Sequence, residues 1–119
     1  MIRPVVTTLA LLALLNADAR DLKLADGKYL FAHRFAEHPN IRSIALEATI
    51  QDGRIKLVNN DKYDVFPKGV IDEGEIFWHS KSGQWIIISS EEEKLATDVG
   101  GCSDGPHVID LDKMEFWTC

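Results

Sequence analysis

Residues 43–51 limit the possible folds more than any other stretch of the chain. Ile44, Leu46, Ala48 and Ile50 alternate without a break with Ser43, Ala45, Glu47 and Thr49. Successive side chains of a β-strand point to opposite faces, so this period of two makes one dry face and one wet face; a helix would scatter the same residues around its axis. Asp52-Gly53 follows at once. That pair suits the type I′ turn, which needs φ > 0 at both central positions and matches the twist of the flanking strands. Arg54 to Val58 then returns with Ile55 and Leu57, so residues 43–58 are predicted to form a hairpin.

The same alternation recurs on either side. Asp26-Gly27 opens a strand over Lys28 to Ala36 in which Tyr29, Phe31, His33 and Phe35 share one face, expected to point inward. Glu37 to Asn40 makes a turn around Pro39. Tyr63 to Phe66 reads as a short strand, with Pro67-Lys68-Gly69 as a break. Val70 to His79 and Gln84 to Ser89 form a second hairpin around Ser80 to Gly83. Here the alternation fails: Ile76-Phe77-Trp78 and Trp85-Ile86-Ile87-Ile88 are apolar on both faces, so the hairpin is buried between two layers, covered by a helix, or exposed as a contact surface. Ser90 and Glu93 have the spacing of a capping box, Glu91 and Glu92 suit the positive end of a helix dipole, and Gly100-Gly101 can end a helix, so a short helix over about 90–98 is the expected cover. His107 to Asp112 and Met114 to Cys119 complete the pattern.

About seven or eight short strands and one short helix, with no repeat or linker, make an all-β domain: a small antiparallel β-barrel or sandwich. A barrel is preferred, because closure removes the unpaired edges of two-faced strands.

Residues 1–19 carry a different signal. Arg3 precedes an apolar stretch from Val5 to Leu15, and Ala17-Asp18-Ala19 is a small-x-small cleavage site, the pattern of a secretory signal peptide. The apolar run is shorter than the ~20 residues of a membrane-spanning helix, and no cysteine follows the cut for lipid attachment. The expectation is one β-rich domain over 20–119, soluble after cleavage, without a membrane anchor, in the periplasm or outside the cell. In such a compartment Cys102 and Cys119, the two cysteines of the chain, should be joined. The bond would contribute about 3 kcal/mol by restricting the unfolded chain. A nucleophilic Cys102 within Gly100 to Gly105 is the rival reading, and that run matches no catalytic signature.

The formal net charge of −6 disfavours nucleic acid, since Arg34, Arg42, Arg54 and Lys56 are dispersed among acids and form no basic patch. A cationic partner suits it better, and the plainer account is that exported proteins are often moderately acidic for solubility. Four histidines, His33, His38, His79 and His107, have no metal-binding spacing, so no metal or cofactor is expected. Asn59 to Asp64 lacks the glycine and closing glutamate of an EF-hand. Asp110 and Asp112 should project from one face of the same strand, where a like-charged pair could receive a cationic side chain. No G-x-S-x-G is present.

Three functions follow in order of support. The first is an exported, non-enzymatic barrel that contacts an unidentified protein through the second hairpin, with Trp78, Ser80, Lys81 and Trp85 as the contact residues. Small disulfide-tied barrels that inhibit cationic cell-wall hydrolases share this profile in outline. The second is a small-molecule carrier with the ligand against Tyr29, His33 and Phe35, although a barrel of this size tends to fill its interior with its own side chains. The third is a hydrolase using His33, His79 or His107, for which no activity is suggested by the residues.

Overall fold

The computed structural model describes residues 21–60 and 66–119. Seven strands follow one another along the chain: β1 (Gly27–Phe35), β2 (Ala45–Gln51), β3 (Arg54–Asn59), β4 (Gly69–His79), β5 (Gln84–Ile88), β6 (Val108–Asp110) and β7 (Glu115–Thr118). Each pairs with the next in antiparallel fashion, and the sheet closes into a barrel. The closing pair differs from expectation. In an up-and-down meander of odd strand number the first and last strands run the same way, so β1 and β7 pair in parallel, from Ala32 opposite Glu115 to Phe35 opposite Thr118. The barrel is antiparallel at six junctions and parallel at the seam.

The hairpin of residues 43–58 forms as the alternation requires. Asp52 and Gly53 have φ of 52° and 76°, the left-handed values of a type I′ turn, and the Asp52 N–H donates to Asp26 Oδ1 at 3.1 Å. Leu46, Ala48, Ile50, Ile55 and Leu57 face the interior, where they meet Phe31 and Phe116. Tyr63, Asp64 and Val65 of the expected short strand lie outside the described residues, and Phe66 falls in a bend.

The two-faced hairpin is β4–β5. Ile76, Trp85 and Ile87 join the interior cluster, while Ile86 and Ile88 form a second cluster with Val108, packed against Phe77 and Val99. The cover is therefore the chain between β5 and β6, in a form that corrects the sequence reading. The helix is a single 3-10 turn, Glu91–Leu95, with no buried residue. Leu95 is 84% exposed, and the contact on the outer cluster is made by Val99 beyond the turn. Ser90 makes no side-chain cap; Glu93 reaches back instead to Ser89, whose N–H and Oγ donate to its Oε1 at 2.6 and 2.7 Å. Gly100 does not end a helix. Its φ is +66°, and a Cβ there would lie 2.6 Å from Val108 Cγ2, so this glycine lets the loop lie against β6.

Cys102 and Cys119 are joined, with Cα atoms 4.6 Å apart. The bond ties the loop after the 3-10 turn to the end of β7. Among the described residues no helix is long and apolar enough to cross a membrane.

Candidate functional site

The chain has three tryptophans, and all of them line one open groove of about 760 Å³. Trp78 and Trp85 are brought together by the β4–β5 register, which places them directly opposite each other; their rings meet edge to face at 5.3 Å and 71°. Trp117 comes from β7, where it lies opposite Val108. Val99, Gly100 and Gly101 make the facing wall. The disulfide holds this wall to the strand that carries Trp117, since each cysteine lies within two residues of a lining residue. Tryptophan combines large apolar area with a polar N–H and few rotatable bonds, which makes it a frequent anchor at binding surfaces.

The rim is acidic. Asp21, Asp110 and Asp112 contribute carboxylates to the groove and Lys23 contributes one ammonium. Lys23 Nζ donates to Asp112 Oδ1 at 2.9 Å, so the chain itself supplies the cation that the sequence reading assigned to a partner. The two aspartates also do not share a strand: β6 ends at Asp110 and Asp112 sits in the following turn. Beside the groove, Arg34 lies over Trp117 with Cζ 5.8 Å from the ring centre, its Nε 3.6 Å from Glu115 Oε2.

The contact residues expected from sequence divide into two places. Trp78 and Trp85 belong to the groove, whereas Ser80 and Lys81 are exposed at the hairpin tip and line a shallow depression with Lys94 and Leu95. His79 shapes that tip. Its Nε2–H donates to the Ala96 carbonyl at 2.7 Å, which leaves Nδ1 to accept from the hydroxyl of Ser82 at 2.7 Å. Trp117 was not among the contact residues expected from sequence, although it lines the groove. The available signal was the scarcity of tryptophan, since all three copies converge.

Tyr29, His33 and Phe35 do share the inner side of β1, and the protein occupies them itself. The Tyr29 hydroxyl donates to the Ala25 carbonyl at 2.6 Å. His33 is 1% exposed, bonded at both ring nitrogens to Ser43 and Thr118, and met edge-on by the rings of Phe35 and Phe66 at 4.6 Å. Burial holds its imidazole well below the ordinary histidine range, at about 4, with His107 nearby adding to the effect. His107 Nδ1 in turn lies 2.8 Å from Asp72 Oδ2. Among the described residues no hydroxyl or thiol is bonded to His107, so the His107–Asp72 couple has no attached nucleophile. Glu37, Cys102 and Cys119 come close enough to share an ion, yet both sulfurs are bonded to each other and hold no thiolate to offer.

No family model, curated protein or solved structure matches this chain.

Proposed function

We propose that the protein is an exported, non-enzymatic binding protein that contacts a cationic macromolecular partner through the tryptophan groove, and that a cell-wall hydrolase is the partner to test first. The observation that carries this reading is the convergence of all three tryptophans on one open groove, where Trp78 and Trp117 remain part-exposed while Trp85 packs into the core behind them. The acidic rim and the net charge of −6 favour a positively charged surface and would speed its approach. The leader-like residues 1–19 and the Cys102–Cys119 bond support an oxidising compartment outside the cytosol. Such a compartment holds hydrolases that a small barrel could restrain. The carrier reading has less support, because Phe31, Leu46, Leu57 and Phe116 fill the interior and the groove includes neither Tyr29, His33 nor Phe35.

Titration of the oxidised protein into a purified cationic lysozyme, by calorimetry and by lysis of cell-wall suspensions, tests the proposal. The expected result is a complex with reduced lysis. Trp117→Ala should weaken it by about thirtyfold, the scale of an aromatic hot spot, while Lys28→Ala, at an exposed position of β1 that does not line the groove, should leave it unchanged. No complex and undiminished lysis would overturn the hydrolase reading.

A further inference from the structure

Both cysteines of the Cys102–Cys119 bond are exposed, so the bond is open to exchange with small thiols. In that reaction a thiolate attacks one sulfur, forms a mixed disulfide with it and expels the other as a thiolate. A second thiolate then displaces the first cysteine, so two small thiols end as one disulfide and the protein bond ends as two thiols. Each step places negative charge on the sulfurs, and the charges around them set its rate.

The fold brings one carboxylate to that place. β1 and β7 pair in parallel up to Phe35 opposite Thr118, and the Ala36 N–H extends the pairing by donating to the Thr118 carbonyl at 2.7 Å. The chain then turns, the His38 N–H donating to the Phe35 carbonyl at 3.2 Å, and Glu37 in this turn comes beside the end of β7. A carboxylate oxygen of Glu37 lies within 4.8 Å of both sulfurs. Glu37 is exposed and has no ion pair or hydrogen bond of its side chain among the described residues. Arg34, whose guanidinium reaches the same turn, donates to the Pro39 carbonyl and lies 3.6 Å from Glu115. His38 and Arg42 are exposed and make no ion pair with Glu37, and Asp104 adds an exposed acid two residues after Cys102. We infer that Glu37 guards the disulfide against anionic thiols. Its charge repels an attacking thiolate and opposes the charge spread over the sulfurs whichever cysteine is attacked, so the wall of Val99 to Gly101 stays tied to β7 where such thiols are present.

The test treats the oxidised protein, at low ionic strength, with 2-mercaptoethanesulfonate, 2-mercaptoethanol and cysteamine, whose thiolates are doubly negative, singly negative and zwitterionic. Alkylation stops the reaction, mass gives the reduced fraction, and rates are expressed per thiolate. Glu37→Gln should speed reduction about fivefold with the sulfonate, about threefold with the neutral alcohol and less than about twofold with cysteamine, the scale of one solvated charge at this distance. The differences should shrink in about 1 M salt, and Glu37→Asp, which keeps the charge, should retain the wild-type order. Equal acceleration with all three thiols would mean that the variant loosens the loop, and no acceleration with the sulfonate would mean that the carboxylate does not act on the sulfurs; either result overturns the inference.

Discussion

Nε2 of His33 lies 2.7 Å from Oγ1 of Thr118, a bond that joins the first strand to the last across the parallel seam. Nδ1 of the same ring is 2.5 Å from Ser43 Oγ, so one buried imidazole spans the end of β1, the approach to β2 and the end of β7. Both hydroxyls can donate or accept, and the neutral ring satisfies them without a charge.

Stability should therefore fall in mild acid. Burial lowers His33 in the folded protein to about 4, while the unfolded chain takes up a proton near 6.5. Between these values the unfolded state binds more protons, so a stability contribution fully present above about pH 6.5 is lost progressively down to about pH 4 and changes no further below it. The loss should amount to about 3 kcal/mol. Urea unfolding at about pH 7, 5.5 and 4 measures it, and His33→Gln should flatten the slope over that window. An unchanged slope in the variant would assign the acid sensitivity to other groups.

Reduction of Cys102–Cys119 should cost about 3 kcal/mol by the chain-entropy estimate and should also loosen the groove. Around the second cysteine's partner the loop's bonds are largely internal: Ser103 N–H and Oγ donate to the Gly100 carbonyl, and Gly105 N–H donates to Ser103 Oγ. A Cys102→Ser/Cys119→Ser double variant should lower the urea midpoint and change the fluorescence of Trp117. A shift in midpoint with unaltered fluorescence would show that Val99 and Gly100 hold the wall without the bond.

Gly100→Ala should destabilise by about 1–3 kcal/mol, because a left-handed backbone and overlap with Val108 act together. Gly101→Ala has nothing within 4 Å of the added methyl and should cost less, through its backbone conformation alone. Thermal unfolding of the two variants side by side separates steric overlap from backbone strain.

Phe116→Ala should cost about 3–5 kcal/mol. The ring is fully buried and touches the rings of both His33 and His107, at 6.2 and 5.2 Å. Equilibrium unfolding gives the number; a loss under about 1 kcal/mol would mean that the core refills the space, against its close packing.

Residues 43–58 show how far local pattern reaches. Their alternation and the Asp52-Gly53 turn are properties of neighbours in sequence, and the hairpin forms with the expected faces. Where a segment's state depends on what packs against it, the pattern misleads. Ser90 to Glu93 has the letters of a capping box, yet Glu93 bonds Ser89 and the helix stops after one 3-10 turn, because Val99 and not Leu95 is placed to cover Ile86 and Val108. Asp110 and Asp112 have strand spacing, but the strand ends between them, at the turn that Asp110 itself holds together.

The sequence alone determined the all-β class, the faces of β1 to β3, the apolar character of both faces of β4–β5 and the expected pairing of the two cysteines, since period-two alternation, turn chemistry and cysteine count act over short range. Only the tertiary structure decided that the ring closes in parallel, that Trp117 joins Trp78 and Trp85, that Lys23 takes Asp112, and that His33 is spent on Thr118. Each of these depends on which distant strands become neighbours, and a strand's own residues specify its faces without specifying what lies beside it.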